Sequence, residues 1–239
     1  MQKSYADCAI HIVCIFCLTG EVFSQALVVL LLYMDTSSQF WIWFKDNNKA
    51  YTFLNSVDED VKEKLLNDFL EQLHKYCDKI FFEIGGSPDE DQELIITAEG
   101  NKDYFDQVQH LINTAPSIDR WTFIAFKRPI SGHFKSKWDD LELNTEDMSF
   151  EPLSNEENSD IGVRIYLKNH DLIKDNAILS TLLYKMLDTI LGEKSFALNI
   201  DYVDTALQPD DPEEEGLYPI LELPEYIEWH KSQTTKSSR

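Results

Sequence analysis

Apolar positions recur along this chain at two spacings, and each spacing predicts a different element. Between residues 58 and 76 they fall at 61, 65, 66, 69, 70 and 73, the three-and-four step of an amphipathic helix. Ser56 is the expected N-cap, with Glu59 three residues on to complete a capping box. A second helix is predicted over residues 102–113, where Tyr104, Phe105, Val108, Leu111 and Ile112 share one side and Pro116 marks the exit. A long third helix is predicted over residues 174–191, with Gly192 at its C′ position. Between and after the helices lie β-rich runs at residues 79–84, 93–98, 121–127, 162–167 and 195–204. The first two are joined hairpin-fashion by Gly85-Gly86-Ser87-Pro88-Asp89. Shorter strand-like pieces stand at 141–143 and 148–150 within an acidic loop. Two aromatic runs flank a Lys45-Asp46-Asn47-Asn48 turn within residues 40–54; Phe40, Trp41, Trp43 and Phe44 read as core packing.

Strand–strand–helix–strand therefore occurs twice, around residues 79–127 and 148–204. Paired into one sheet with helices on a face, the two copies predict an α+β fold, a ferredoxin-like sandwich. One domain is expected over residues 34–239. It includes an acidic turn at 208–216, an apolar stretch packed back onto the body beyond it, and a frayed polar tail from 231.

Residues 1–33 are a different material. From residue 9 to 33 a single acid, Glu21, interrupts an apolar run. A secretory signal, a membrane anchor and an extension outside the working fold all remain open for this segment. Three of the four cysteines, Cys8, Cys14 and Cys17, lie there, leaving Cys77 alone in the body. One thiol makes no internal disulfide, so the body suits a reducing, cytoplasmic setting, with anchoring or export through residues 9–33 as the alternative.

Charge narrows the partners. The 239 residues carry 21 Lys and Arg against 43 Asp and Glu, a net charge of −22. Such a chain repels phosphate backbones and anionic lipid surfaces, which argues against nucleic acid as a partner. No phosphate-cradling glycine loop, nucleophile elbow, zinc helix or calcium loop is present in the sequence. The six histidines (11, 74, 110, 133, 170 and 230) include no pair at ligand spacing. No catalytic, cofactor-binding or metal-ligating residue is assigned. Arg164, alone in a strand, is expected to face solvent or to pair with an acid such as Asp201 on a neighbouring strand.

The segment Leu187-Asp188-Thr189-Ile190-Leu191-Gly192-Glu193, then Ile200-Asp201-Tyr202-Val203-Asp204 and Leu221-Glu222-Leu223-Pro224-Glu225, resembles the C-terminal signature of uncharacterised bacterial α+β proteins. These are of the ribonuclease E inhibitor B type, with ferredoxin-like domains. The resemblance implies a small acidic cytoplasmic regulator that binds a protein, and it carries over no catalytic residues. Charge and resemblance together predict a non-enzymatic protein-binding or inhibitory module with a basic partner. The contact candidates are Asp139, Asp140, Glu156, Glu157, Asp210, Asp211, Glu213, Glu214 and Glu215. The alternative is a metal-assisted hydrolase built from the same loop carboxylates.

Overall fold

A computed structural model describes residues 35–86, 91–138, 141–154, 161–168, 170 and 176–237. The contact candidates Asp139, Asp140, Glu156 and Glu157 and the apolar segment 9–33 lie outside the described residues. Among those that are described, no helix is long and apolar enough to cross a membrane. The fold is α+β, and the chain divides into two compact units where one domain was expected. Of the described residues, the first comprises 35–78 together with 114–118, and the second those within 79–113 and 119–237.

The first unit is helical. Helix α1 spans Thr36–Asn47, with Asp35 as N-cap: its carboxylate accepts from the Ser37 amide at 3.1 Å and the Ser37 hydroxyl at 2.6 Å. The first aromatic run is therefore helical, and its spacing explains why: Phe40, Trp41 and Phe44 fall on one buried stripe. Helix α2, Glu59–His74, crosses back and brings Phe69 into the same cluster. The Phe69 ring lies 5.3–5.8 Å from those of Tyr51, Phe40, Trp43 and Phe44, all edge-on. Burial, reinforced by the Asp68 carboxylate, pushes the Tyr51 phenol up to about 12. The α2 N-cap is Asp58, not Ser56. The Asp58 side chain accepts from the Asp60 amide, while Ser56 belongs to a 3-10 turn in which its hydroxyl donates to the Phe53 carbonyl.

The second unit contains both copies of the predicted motif. In the first copy, β1 (Phe81–Gly85) pairs antiparallel with β2 (Gln92–Thr97). Helix α3 (Phe105–Asn113) then crosses over to β3 (Trp121–Ala125), which lies parallel to β2. A small hairpin follows, β4 (Lys135–Trp138) with β5 (Leu141–Asn144); sequence pattern missed β4. In the second copy, β6 (Met148–Ser154) pairs antiparallel with β7 (Ile161–Leu167). Helices α4 (Asn176–Leu191) and α5 (Glu193–Asn199) lead to β8 (Ile200–Leu207), parallel to β7. A two-residue strand β9 (Tyr218–Pro219) closes the outer edge of β6, and helix α6 (Leu223–Ser237) ends the described chain.

The two copies do not merge into one ferredoxin-like sheet. The strands form separate sheets of three, two and four, ordered β1-β2-β3, β4-β5 and β8-β7-β6-β9. The reason is local: residues between β3 and β6 fold on themselves as a hairpin, and the β6 edge is taken by Tyr218–Pro219. Two segments also differ from expectation. Residues 195–199 are helical, with the strand starting only at Ile200, and residues 231–237 continue α6 instead of fraying. The main core of this unit lies where Phe150, Val163 and Ile165 of the four-stranded sheet meet Leu182, Met186 and Leu187 of α4.

Candidate functional site

Two concave regions of the second unit bring charged side chains together. The first contains the predicted acidic turn. Asp210, Asp211, Glu213, Glu214 and Glu215 are all exposed, on a turn that the chain builds from its own backbone. The Asp211 carboxylate accepts from the Glu214 amide at 3.1 Å, and the Glu215, Gly216 and Leu217 amides donate to the Asp211, Glu213 and Pro212 carbonyls. Gly216 takes a φ of 75°, a value that favours glycine, and so turns the chain back towards β9. Asp210, Asp211 and Glu213 line a groove of about 890 Å³ with Glu146 and Glu222 on its other walls. Its cationic or basic lining is Lys168, already bridged to Asp147, and His133. Tyr218, at the rim, is about half exposed.

Arg164, by contrast, stands on the open face of the four-stranded sheet. Its Nε donates to Asp204 Oδ2 and its Nη1 to Glu151 Oε1, both at 2.8 Å. The parallel register sets Arg164 opposite Asp204, so the expected partner Asp201 is out of reach; Asp201 instead lies 4.0 Å from Lys102.

The second region was not anticipated. At the carboxyl ends of β2 and β3 the backbone makes two sharp turns, with non-glycine residues Glu99 (φ 52°) and Phe126 (φ 69°) in the left-handed region. Both turns grip one fully buried carboxylate, that of Glu193 at the start of α5. Glu193 Oε2 accepts from the Thr97 hydroxyl at 2.6 Å and the Lys127 amide at 3.2 Å, and Oε1 from the Ala98 and Gly100 amides at 2.8 and 3.1 Å. In return the Glu193 amide donates to the Lys127 carbonyl at 3.1 Å. The close approach needs Gly192: its φ is 75°, and a Cβ there would stand 2.9 Å from Pro129 Cδ. The predicted C′ glycine is thus also the hinge between two helices.

Beside this anchor opens a cleft of about 580 Å³. Lys127 Nζ, half-buried in its wall, lies 3.2 Å from Glu99 Oε1, 3.5 Å from Asp188 Oδ2 and 3.8 Å from Glu83 Oε1. Burial alone would lower the Lys127 ammonium, but the three carboxylates outweigh it and hold the group above its ordinary value. Asp188 moves the other way for an ion-pair partner. Burial pushes its carboxyl up, Lys127 opposes that, and the neighbouring Glu193 and Glu99 charges add to the rise. The asymmetry lies in the surroundings: Lys127 has three acids about it to offset its burial, whereas Asp188 is buried beside one cation and two other carboxylates. The apolar part of its lining includes the Tyr184 and Phe196 rings, 5.7 Å apart, with Ala197 and Ile200; Tyr184 stands one turn before Asp188 on α4.

Compared with family models, curated proteins and solved structures, the chain matches none. Among the described residues, no group of three or more His, Cys, Asp and Glu side chains gathers to hold a metal ion. The metal-assisted alternative therefore draws no support from them. Each member of the unanticipated site is ordinary in sequence. The available signals were an acid-glycine pair directly after β2, a glycine-acid pair directly after α4, and an acid, Asp188, beside the apolar stripe of that helix.

Proposed function

We propose that this chain is a non-enzymatic protein-binding or inhibitory module whose acidic turn and adjoining groove engage a basic partner. The observation that carries the reading is the groove itself: five carboxylates (Glu146, Asp210, Asp211, Glu213 and Glu222) face Lys168, itself neutralised by Asp147. Clefts lined by one sign of charge focus field lines and speed the encounter with an opposite charge. The internal hydrogen bonds of the turn hold these charges in place before binding, which lowers the ordering cost on association. An exposed Tyr218 at the rim supplies the kind of aromatic anchor that protein interfaces favour. What the resemblance at residues 187–225 implies, a bacterial regulator that acts by binding a protein in the cytoplasm, points the same way, as does the free thiol of Cys77.

The test is affinity capture from host lysate with the full chain and with a variant carrying Asp210→Asn, Glu213→Gln, Glu214→Gln and Glu215→Gln. Asp211 is left intact because its carboxylate caps the turn. The expected result is one basic protein held by the parent chain at low salt, released at high salt and lost with the variant. Equal capture by both chains, or no specific capture at either salt, overturns the reading.

A further inference from the structure

The rim of the acidic groove continues into an aromatic strip. From Tyr218, which lines the groove, the rings run on to helix α6: Tyr218 lies 5.5 Å from Phe150, Phe150 5.8 Å from Tyr226, and Tyr226 5.6 Å from Trp229. Phe150 is fully buried and forms the floor, whereas Tyr218 is 47% and Trp229 56% exposed. Two exposed rings joined through Phe150 and the half-buried Tyr226 make a continuous patch, and such patches mark interaction surfaces. Burial first, and Tyr218 second, push the Tyr226 phenol up, in keeping with the closeness of the two tyrosines. Acids accompany the rings. Glu222 lies four positions before Tyr226 and Glu225 four before Trp229, the spacing that sets side chains one turn apart on one helix face. Glu222 and Glu225 are exposed and enter no ion pair among the described residues, while the next acid, Glu228, is bridged to Lys231 at 2.8 Å.

We propose, resting on the reading of the groove as the site of a basic partner, that the partner is engaged through arginine. Its contact segment pairs arginine side chains with the carboxylates of the groove and of α6, and stacks their guanidinium planes on Tyr218 and Trp229. The carboxylates set the sign of the partner's charge but do not distinguish arginine from lysine. The rings do. A guanidinium is planar and weakly hydrated, so it lies against an aromatic face and keeps donors in its plane for a carboxylate beside the ring. An ammonium is a compact, strongly hydrated charge that gains less from the same ring at an exposed position. A ring with an acid one turn away, as in Glu225 and Trp229, offers both contacts to arginine together. Pro219 has no N–H for strand addition on β9, which leaves recognition to side chains.

The test is fluorescence anisotropy of the full chain with two labelled peptides of one flexible, otherwise neutral sequence, one carrying arginine and the other lysine at every basic position. The arginine peptide is expected to bind about five-fold more tightly, the worth of one exposed cation–π contact. Trp229→Ala is expected to weaken the arginine peptide about five-fold and the lysine peptide less than about two-fold, which removes most of the preference. Glu225→Gln is expected to weaken both peptides alike, by about two-fold, and to leave the preference in place. Both side chains are exposed, and far-UV circular dichroism checks that each variant keeps its helices. Equal binding of the two peptides, a preference that survives Trp229→Ala, or no saturable binding of either peptide overturns the inference. The groove itself is decided by the lysate capture, so the arginine preference can fail while that capture still depends on the acidic turn.

Discussion

The buried carboxylate of Glu193 is the strongest single test of how the second unit is held together. Replacing it with alanine leaves the Ala98, Gly100 and Lys127 amides without their acceptor; the Thr97 hydroxyl is free to rotate towards another. An orphaned buried donor costs roughly 1–3 kcal/mol. The Gly100 and Lys127 bonds are only part-buried, so water reaches those donors and they sit at the low end of that range. The sum is about 4 kcal/mol before the relief of no longer burying a charge, and a net loss of about 3 kcal/mol is expected for Glu193→Ala. Glu193→Gln keeps one oxygen for the Ala98 and Gly100 amides, and Thr97 can turn to accept from the new amide. Only the Lys127 N–H then faces another donor, so about half that loss is expected. Because the chain forms two compact units, one melting midpoint does not define the effect. The assay is therefore native-state hydrogen exchange, which reads the protection of the Ala98, Gly100 and Lys127 amides site by site. Glu193→Ala within about 1 kcal/mol of the parent, or unchanged protection at Ala98 and Gly100, refutes the assignment of Glu193 as the anchor.

Two further predictions rest on neighbouring features. Gly192→Ala places a methyl group 2.9 Å from Pro129 Cδ at a φ of 75°; a loss of about 2–4 kcal/mol is expected in the hydrogen-exchange protection of the second unit's core amides, and a change under about 0.5 kcal/mol contradicts the close-approach argument. The Arg164 guanidinium, and then the Thr205 amide, hold the Asp204 carboxyl below its ordinary 3.8. The stability this supplies is complete above that value and drains as pH falls through the depressed one. The hydrogen-exchange stabilities of β7 and β8 in the parent and in Arg164→Gln should therefore converge on acidification, and a constant gap between about pH 2 and 6 refutes the coupling.

How much of this was legible in the sequence depended on whether the deciding interactions were local. Helix α2 shows its three-and-four spacing, and the strands β2, β3 and β7 show their β-branched and aromatic runs, because each buries one face whatever its surroundings. Residues 195–199 were misread because Phe196 and Leu198 alternate as in a strand, whereas the helix start is set by a distant group, the Lys127 carbonyl that receives the Glu193 amide. The acidic turn was legible as a run of charge, and its hydrogen bonds are all local. The Lys127 cleft was not, since it assembles residues from the turns after β2 and β3, helices α4 and α5 and the start of β8, and no spacing along the chain records that meeting.

The two edges of the four-stranded sheet differ in what they offer an incoming strand. An open strand edge is a template on which a second molecule can add its own strand and begin a fibril. One edge here, that of β6, is closed by a dipeptide ending in Pro219, which has no N–H to offer an incoming chain. At the other edge, β8 carries Asp201 and Asp204, each beside a cation of its own molecule, Lys102 at 4.0 Å and Arg164 at 2.8 Å. A strand added at the first edge would meet a residue that donates no hydrogen bond, and one added at β8 would lie beside side chains already engaged in ion pairs.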